Sequence, residues 1–479
     1  MVKITKLSPI QIYRLLPKTN CGKCGEESCM AFAVKLLNLQ TTLEKCKPLV
    51  EDEKYRKNYE ELKKLLKKPV REVYFGPEDR KIVIGGEYVM HRHELTLLNP
   101  TVFAIDIEDS ASQEDIAKKI EFVKRFKYEY LGRELRLDTM AIRFTSGDVG
   151  RFCKVVNFVK DQLGKPLVIC SRNPKAIEAL GDFLKDERPL IYAATSENWE
   201  KVLSICRRYK VPCVLYGAGD LDLLASLVKT FLKYGVEDIC LDPGTFPDHL
   251  GYTVKMFTTL RWLACEAEFE LAGFPLVGVP ALVWYANVPD DVKPIYEAAV
   301  AASLIIRFAD LLIMKSEHAF TYLPLVILRQ NFYTDPRRPT TITPGLKTVG
   351  NPNELSPVIV TCNFALTYSI VSSDLEKGKV NAYVLVIDTE GYAVDVSVAA
   401  GKFNADAVLK ALKESGLENK VKHRILIIPG KAAKVASEIE EKTGWKVLVG
   451  PIDSSDLPKF IETKWQEALR QFLGTSQGT

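Results

Sequence analysis

The stretch Asn20-Cys-Gly-Lys-Cys-Gly-Glu-Glu-Ser-Cys29 decides the fold of the N-terminal region, and a fourth cysteine follows at Cys46. Glycines beside the first two cysteines allow one tight turn to point both sulfurs at one centre. Four thiolates that converge suit an iron–sulfur cluster or a structural zinc ion. The spacing C-x2-C-x4-C-x16-C favours iron, because zinc ribbons usually pair two short knuckles. Zinc and uncoordinated thiols remain the alternatives.

The whole-chain composition is that of a soluble globular protein of two to four domains. A net charge of +4 gives no reason to expect nucleic acid or an anionic membrane as a partner. The seven cysteines outside the cluster spacing lie mostly in apolar runs, which predicts small buried side chains kept reduced. The N-terminus shows no signal core, and no apolar stretch is long enough to span a bilayer. A cytoplasmic protein is therefore expected.

The segments around the cysteines predict helices. Ser8-Pro9 is typical of a helix start, and Glu51–Lys68 predicts a solvated connecting helix that ends at Pro69. Residues 1–69 are therefore interpreted as a small iron–sulfur domain on a helical linker, free to reorient.

From Val70 onward, short apolar runs alternate with amphipathic helical stretches. Eight such units over residues 70–330 predict a closed (β/α)8 barrel, with an open doubly wound sheet as the alternative. The predicted strands are Val102–Ile107, Met140–Phe144, Leu167–Cys170, Leu190–Ala193, Cys213–Tyr216, Asp238–Leu241, Leu276–Val279 and Asp310–Met314.

Polar residues follow several of these strands, at the end where barrels place their chemistry. They could bind a small polar substrate such as a pterin, or they could cap helices and satisfy backbone groups. The residues are Asp106, Glu108, Asp109, Arg143, Ser171–Asn173, Thr195–Asn198 and Asp242–Thr245.

Residues 331–357 contain five prolines and predict an irregular linker. The α/β alternation then resumes and predicts a doubly wound α/β domain over residues 358–479. Ligands of such sheets bind beyond the strand carboxyl ends, here at Cys362–Tyr368, Asp388–Gly391 and Pro429-Gly430. A dinucleotide is disfavoured, because no G-x-G-x-x-G follows a strand.

Essentially the whole chain resembles the large (gamma) subunit of the corrinoid/iron–sulfur protein of the acetyl-CoA decarbonylase/synthase system. The motifs that carry the resemblance are Leu16-Pro-Lys-Thr-Asn-Cys-Gly-Lys-Cys-Gly25 with Cys29 and Cys46, Asn363-Phe-Ala-Leu-Thr-Tyr368, Asp388-Thr-Glu-Gly391 and Ala399-Ala-Gly-Lys-Phe403. The resemblance implies a [4Fe–4S] domain, a (β/α)8 TIM barrel and a C-terminal corrinoid (B12)-binding α/β domain.

The implied function is that of a methyl carrier, a methyltransferase component of the acetyl-CoA pathway. Its cobamide takes a methyl group from a methyl-tetrahydropterin and passes it to the nickel site of acetyl-CoA synthase. The implied partners are a small (delta) subunit, acetyl-CoA synthase and a methyl-tetrahydropterin methyltransferase. Two alternatives stay open: a full methyltransferase whose own barrel binds the pterin, and a zinc-ribbon scaffold.

The histidines bear on how a corrinoid would be held. None of the five fits the D-x-H-x-x-G motif that places an imidazole beneath cobalt. A base-off, weakly ligated cobalt is then expected, and loss of an axial donor makes it easier to reduce. An iron–sulfur cluster with a low reduction potential is suited to reactivating such a cobalt by reducing Co(II) to Co(I).

The resemblance also supplies the site residues. The cluster ligands are Cys21, Cys24, Cys29 and Cys46. The corrinoid is expected against Thr361, Cys362, Asn363, Phe364, Ala365, Leu366, Thr367 and Tyr368, with Cys362 as a space-filler. Thr367 is expected near the lower cobalt face, with a plain helix cap as its alternative role. The groove for the nucleotide tail is expected to be lined by Ala399, Ala400, Gly401, Lys402, Phe403 and Gly430.

Overall fold

The computed structural model describes residue 4 and residues 7–131, 133–337 and 339–475; residues 1–3, 5, 6, 132, 338 and 476–479 lie outside the described part. The chain divides into two compact units. The first comprises Met1–Tyr128 and Leu135–Asp335, and the second Glu129–Glu134 and Pro336–Thr479. The finer boundaries at residues 69, 330 and 357 stay predictions.

The first unit begins with four short helices. They are α1 (Pro9–Leu15), α2 (Cys29–Leu37), α3 (Lys47–Glu51) and α4 (Arg56–Leu65). The predicted start at Ser8 forms a capping box, in which the Ser8 side chain accepts from the Gln11 backbone N–H and the Gln11 side chain accepts from the Ser8 N–H.

The prediction of one solvated helix over Glu51–Lys68 is wrong. The segment is broken after Glu51, and Leu62 of α4 is fully buried. Leu62 belongs to an apolar core that also contains Phe32 of α2. The same core contains Leu95 and Leu97, which follow Val70 in the sequence. The N-terminal helices therefore share one core with the following residues, which differs from the expectation of a module free to reorient.

The barrel is formed by residues of the first unit. The strands of residues 72–314 are β1 (Glu72–Phe75), β2 (Ile82–Gly85), β3 (Val102–Glu108), β4 (Lys127–Tyr130), β5 (Arg133–Arg136), β6 (Thr139–Arg143), β7 (Leu167–Cys170), β8 (Leu190–Ala194), β9 (Cys213–Tyr216), β10 (Ile239–Asp242), β11 (Leu276–Gly278) and β12 (Ala309–Met314). Eight of them, all parallel to their neighbours, close in the order β3-β6-β7-β8-β9-β10-β11-β12. The predicted (β/α)8 barrel is therefore confirmed, and the open sheet is wrong.

The helices that accompany these strands alternate with them along the chain. They are α5 (Gln113–Arg125), α6 (Val149–Leu163), α7 (Pro174–Glu178), α8 (Asp182–Glu187), α9 (Trp199–Tyr209), α10 (Leu221–Lys233), α11 (Leu250–Cys265), α12 (Lys293–Ile306) and α13 (Ala319–Phe332).

Two antiparallel hairpins, β1–β2 and β4–β5, were not predicted. The barrel strands are buried on both faces, as helices outside a parallel sheet require. All six residues of β12 are buried, for example. Uninterrupted apolar runs of this kind explain why the sequence predicts the barrel so directly.

The second unit is built on a five-stranded sheet. Its elements are β13 (Gly345–Val349), β14 (Val358–Cys362), α14 (Ala365–Lys377), β15 (Ala382–Ile387), α15 (Val394–Ala399), α16 (Ala405–Ser415), β16 (Ile425–Ile428), α17 (Ala436–Thr443), β17 (Lys446–Val449), α18 (Leu457–Phe460) and α19 (Gln466–Thr475). The strand order is β13-β15-β14-β16-β17.

Strands β14 to β17 are parallel, and β13 pairs antiparallel with β15. Alternate residues of β14 enter two separate cores, one containing Val360 and the other Ile359. Helices thus cover both faces, which confirms the predicted doubly wound α/β domain. Strand β13 lies inside the segment predicted to be an irregular linker.

No helix in the described part of the chain is both long and apolar enough to cross a membrane.

Candidate functional sites

The four predicted cluster ligands differ in exposure. Cys21 is exposed and Cys24 is half-buried, whereas Cys29 and Cys46 are buried among apolar side chains. Burial raises the pKa of the Cys46 thiol, and the thiols of Cys24, Cys29 and Cys21 raise it further. Cys29 and Cys46 share one apolar core, and Cys24 packs against it.

Local backbone geometry explains how the loop presents its sulfurs. Gly22 and Gly25 have positive φ angles of 68° and 86°, and the Gly25 N–H donates to the Gly22 carbonyl at 2.9 Å. The Asn20 side chain accepts from the Cys29 N–H at 2.9 Å, which joins the loop to the start of α2. The two glycine turns therefore need the left-handed conformations that glycine adopts readily.

The donor set fits an iron–sulfur cluster, which is held by four cysteine thiolates. No group of three or more His, Cys, Asp or Glu side chains in the described residues is arranged to hold a metal ion as it stands. The fit therefore rests on the chemistry of the four thiols and on the common core region of Cys24, Cys29 and Cys46.

A second site is a cavity of about 390 Å³ at the carboxyl edge of the C-terminal sheet, here called the C-terminal cavity. Its inner wall is largely apolar and includes Ile359, Val371 and Ile427. Ile370 and Ile452 also line it and are 47% and 76% exposed. Exposed apolar side chains around a concave site are typical of ligand binding.

Thr361 is the one polar group of this cavity that stands out. It lines the cavity and is 1% exposed. Among the residues that the structure describes, its hydroxyl is the one buried side-chain oxygen or nitrogen without a hydrogen-bond partner. Leaving such a group unpaired costs about 1–3 kcal/mol, so a ligand that accepts its hydrogen bond would recover that free energy.

The motifs at Asn363 and Asp388 form one hydrogen-bonded unit. The Asn363 amide nitrogen donates to Asp388 at 3.0 Å. Its oxygen accepts from the backbone N–H and hydroxyl of Thr389 and from the Gly391 N–H, at 2.9 to 3.0 Å. Asn363 therefore fixes two loops at the strand carboxyl ends.

The cavity contains only part of the predicted corrinoid set. Thr361 and Thr367 line it, and Thr367 lies in the first turn of α14. The alternative role of Thr367 as a helix cap is wrong, because Phe364 occupies the N-cap position. Of the other predicted residues, Cys362, Phe364, Ala365 and Tyr368 pack in the two cores, and Leu366 is exposed.

The groove for the nucleotide tail stays a prediction, and its expected residues lie outside the lining of the C-terminal cavity. Ala399 to Phe403 end α15 and do not line the C-terminal cavity: the backbone N–H groups of Lys402 and Phe403 donate to the Ser397 carbonyl, and Phe403 is fully buried. A Cβ on Gly430 would lie 2.8 Å from the Gly450 carbonyl oxygen, so the contact between loops requires glycine there.

Sequence reasoning missed several residues of the cavity. Asp395 and Lys431 form an ion pair at 3.3 Å at its rim, and Ile452 and Ser454 follow β17. These residues belong to no motif. Their one signal is that each follows the carboxyl end of a predicted strand.

A third site is a cavity of about 520 Å³ at the carboxyl ends of the barrel strands, here called the barrel-mouth cavity. Asp242 lies on its wall, fully buried, and burial raises the pKa of this carboxyl to about 6. It accepts hydrogen bonds from the Tyr192 hydroxyl at 2.6 Å and the Gly244 N–H at 2.7 Å. In the described part of the chain, no cation forms an ion pair with it.

Other polar residues of the barrel mouth form hydrogen bonds with one another or with the backbone. Arg143 donates to both Asp106 oxygens, at 3.0 and 2.9 Å, and to Glu108 at 2.7 Å. Asp109 accepts from two backbone N–H groups, and Asn173 caps α7. The predicted structural role therefore accounts for these side chains, and Asp242 combines it with a place on the cavity wall and a carboxyl pKa that burial raises.

A cysteine-bearing N-terminal domain, a closed barrel and a terminal α/β domain define a multidomain iron–sulfur protein. A family model described as CO dehydrogenase/acetyl-CoA synthase delta subunit matches residues 72–461, and a model for an Fe-S cluster domain matches residues 16–48.

Acetyl-CoA decarbonylase/synthase complex subunits gamma are similar to this chain in sequence. That of Methanothermobacter thermautotrophicus is 42% identical over 95% of this chain and 99% of its own length. Those of Methanocaldococcus jannaschii and Archaeoglobus fulgidus are 39% and 41% identical over 98% and 96% of this chain, and over 99% and 98% of their own lengths. The chain belongs to the gamma-subunit family of the acetyl-CoA decarbonylase/synthase complex.

The name delta in the first family model does not conflict with this, because that match begins at residue 72, whereas the gamma relatives align over nearly the whole chain. Among solved structures, dihydropteroate synthase from Thermus thermophilus aligns with 55% of this chain and 100% of its own, at 15% identity and a TM-score of 0.39. That likeness is too weak to bear on a ligand.

Proposed function

We propose that this chain is the methyl-carrier subunit of an acetyl-CoA decarbonylase/synthase complex and acts as a methyltransferase component. It holds a [4Fe–4S] cluster on its four N-terminal cysteines and a base-off corrinoid at its C-terminal cavity. The observation that carries the proposal is the C-terminal cavity itself, with its unpaired Thr361 hydroxyl and its exposed isoleucines.

When bound, the corrinoid would supply a reducible cobalt that accepts a methyl group from a methyl-tetrahydropterin and gives it up to a nickel site, and the cluster would supply electrons for its reactivation. The chain's own part is to bind and orient. The Thr361 hydroxyl, which has no partner in the described residues, would donate a hydrogen bond to the ligand, and Ile370 and Ile452 would cover an apolar face of it. Thr367, in the first turn of α14, lies beside them.

The absence of a histidine ligand is supported by the position of His423, the one histidine in residues 336–479 of the sequence. It is fully buried, its Nε2 lies 2.9 Å from the Ser356 carbonyl oxygen, and its Nδ1 accepts from the Ile425 N–H at 3.3 Å. It precedes β16, so it lies at the amino edge of the sheet, opposite the C-terminal cavity. This arrangement favours a corrinoid without an imidazole ligand.

The names of the relatives support partner subunits for this chain. We assign these as a small delta subunit, an acetyl-CoA synthase that receives the methyl group, and a methyl-tetrahydropterin methyltransferase that supplies it.

The proposal is tested by metal analysis and a visible spectrum of anaerobically purified protein. We expect about four iron and one cobalt atom per chain, with corrinoid bands that shift on reduction. A chain that contained only zinc would contradict both the iron–sulfur cluster and the corrinoid. A chain that contained iron but no cobalt, even after reconstitution with a cobamide, would contradict the corrinoid assignment and would still agree with the iron–sulfur cluster.

A second candidate function is favoured by Asp242. Its buried carboxylate has no cationic partner in the described residues and lies in a cavity with aromatic walls from Tyr192, Tyr216 and Tyr285. Such a site suits a planar heterocycle that offers N–H donors, because a buried carboxylate needs hydrogen-bond donors. The chain would then bind the methyl-tetrahydropterin itself and act as a full methyltransferase.

The two candidates differ in what the lone chain can do. The isolated chain, loaded with corrinoid and reduced, is incubated with methyl-tetrahydropterin. The methyl-carrier proposal expects no methylation of the corrinoid until a separate methyltransferase is added. Methylation without that partner, lost in Asp242→Asn, would establish the second candidate and overturn the pure carrier. The variant keeps an amide oxygen that can accept from the Gly244 N–H.

A further inference from the structure

The charged side chains that line the barrel-mouth cavity do not all have partners. The charged residues of the lining are Asp106, Arg143, Arg172 and Asp242. Arg143 and Asp106 form an ion pair at 2.9 Å, so these two charges offset each other within the wall. In the described part of the chain, neither Arg172 nor Asp242 forms an ion pair. The cavity therefore presents one negative and one positive group to a ligand.

The negative group belongs to the inner wall of the cavity. Asp242 is the last residue of β10 and is fully buried. Each of its two oxygens accepts one hydrogen bond, from the Tyr192 hydroxyl and from the Gly244 N–H. A carboxylate has about four acceptor sites, so each oxygen can accept one further bond from a ligand. Burial raises the pKa of this carboxyl to about 6, which leaves the carboxylate as its main form at pH 7.

The positive group lies at the outer edge of the cavity. Arg172 follows β7 and is exposed. Its carbonyl accepts from the Asn198 side chain at 3.0 Å, and the preceding Ser171 N–H donates to the Tyr192 carbonyl at 2.7 Å. Within the residues that the structure describes, its guanidinium has no hydrogen-bond or ion-pair partner. The backbone of Arg172 is therefore held in place while its charge stays available to a ligand.

Aromatic rings form the wall between these groups. Tyr192, Tyr216 and Tyr285 line the cavity, and Tyr285 is 63% exposed. The Arg143 guanidinium and the Lys315 ammonium lie 5.8 and 5.4 Å from the centre of the Tyr285 ring. Cations at these distances attract an aromatic face and help to hold it. Such walls favour a ligand that contains a flat ring.

The two charged groups restrict the chemistry of this ligand. A buried carboxylate with two free acceptor sites suits a ring edge that carries two adjacent N–H donors, as a 2-amino-4-oxopyrimidine ring does. An exposed guanidinium binds carboxylate or phosphate groups in preference to neutral ones. Pterins and guanine both contain this ring, so a pterin with a carboxylate tail and a guanine nucleotide share the required chemistry.

We propose that the barrel-mouth cavity binds a small molecule with two distinct ends, a 2-amino-4-oxopyrimidine ring against Asp242 and an anionic tail against Arg172. The place of the ring rests on the second candidate function, and the selection of an anionic tail by Arg172 goes beyond it. Arg172 is then a specificity-determining residue. It raises the affinity for a given ring when that ring carries an anion.

The test compares ligands that share a ring and differ in the tail. Anaerobic calorimetry on the intact, cofactor-loaded chain measures the affinities of tetrahydrofolate, which has a glutamate tail, and of 6-methyltetrahydropterin, which has no anionic tail. We expect tetrahydrofolate to bind about fivefold more tightly. Guanosine monophosphate and guanosine form a second pair of ligands, which shows whether a nucleotide uses the same two groups.

Arg172→Gln removes the charge of an exposed side chain that has no partner in the described residues, so the fold should be unaffected. We expect the preference for tetrahydrofolate over 6-methyltetrahydropterin to fall below about twofold, with the affinity for 6-methyltetrahydropterin unchanged. Arg172→Lys keeps the positive charge and should retain most of the preference. Asp242→Asn should weaken both ligands by about tenfold, because both contain the ring.

The matched control is Lys175→Gln on α7, an exposed position three residues after Arg172 that lies outside the cavity lining. It removes the same charge and should keep the full preference for tetrahydrofolate. Raising the ionic strength from about 0.05 to 0.5 M should weaken tetrahydrofolate binding to the unaltered chain and leave 6-methyltetrahydropterin within about twofold, because salt screens the exposed ion pair.

A preference that survives Arg172→Gln would overturn the proposal. Equal weakening of both pterins in Arg172→Gln would overturn it too, because that result indicates a structural role. A preference that depends on Arg172 for guanosine monophosphate and not for tetrahydrofolate would support the site with two ends and contradict the second candidate function.

Failure of this inference can be told apart from failure of the proposed function. A chain that contains iron and cobalt but binds none of the four ligands would overturn the inference and leave the methyl-carrier proposal standing. A chain without cobalt that shows the Arg172-dependent preference would do the reverse. If the preference depends on Arg172 but the corrinoid is methylated only when a separate methyltransferase is present, the inference stands and the second candidate function fails.

Discussion

A chain with Cys24→Ala is expected to lose most of its iron and its broad visible absorbance, because a cubane cluster needs four thiolates and Cys24 is one of the four predicted ligands, packed against the core that contains Cys29 and Cys46. Reactivation of an oxidised corrinoid by a protein electron donor should be abolished. If the corrinoid is reduced chemically beforehand, it should still accept a methyl group. Iron content and the two methylation rates are the measurements.

The control for this variant is Cys153→Ala. Cys153 is also half-buried and free, but it lies on α6 of the barrel, where its thiol contacts the Ala179 carbonyl at 3.6 Å. It should keep its iron and both activities. If chemically reduced Cys24→Ala also failed to accept a methyl group, the cluster would have a structural or directly catalytic role, and its assignment as a reactivator would be wrong.

Thr361→Val is expected to raise the stability of the corrinoid-free chain and to weaken corrinoid binding. Valine has nearly the same shape and suits a buried strand, and it removes a buried hydroxyl that has no partner, which should stabilise the free chain by about 1 kcal/mol. The lost hydrogen bond to the ligand should weaken corrinoid binding about tenfold. Thermal unfolding and spectroscopic titration measure the two effects.

Two controls separate this result from a packing effect. Thr361→Ser keeps the hydroxyl and should retain most of the corrinoid affinity. Thr389→Val removes a buried hydroxyl that is paired, since its oxygen lies 2.9 Å from two acceptors, Asn363 Oδ1 and the Tyr392 carbonyl oxygen, and its one proton can be donated to either. Thr389→Val should therefore destabilise the free chain by about 1–2 kcal/mol. If Thr361→Val lowered the stability of the free chain and left the affinity for the corrinoid unchanged, Thr361 would not belong to the corrinoid site.

The barrel could be predicted strand by strand from the sequence. Its strands are buried on both faces, so each appears as a short apolar run between helical stretches, as β12 does. The hairpin strand β4 carries no such signal, because Lys127, Tyr128 and Glu129 are exposed. Strand β13 was hidden by the prolines around it, since its pairing with β15 depends on a partner distant in sequence.

The two cofactor sites were predictable to different degrees. The cysteine site is local in sequence, so the spacing of its ligands shows it directly. The C-terminal cavity is assembled by the order of the sheet, which brings Thr361, Asp395, Lys431 and Ile452 together from four segments. No spacing rule connects these residues. Similarly, the carboxylate of Asp242 is fully buried, lines the barrel-mouth cavity and has no cationic partner among the described residues, and a sequence does not record this combination.

Strand β13 has a consequence for the solubility of the C-terminal unit. It covers one side of β15, so Tyr383, Val384, Leu385 and Val386 have strand partners on both sides. A fragment that began at Val358 would lack β13 and expose the edge of a strand whose six residues are all buried in the intact chain. Open, apolar edges pair with other copies and aggregate. The proline-rich segment, which contains β13, therefore protects the C-terminal unit from aggregation through an open strand edge. We expect a soluble fragment of this unit to begin before Gly345.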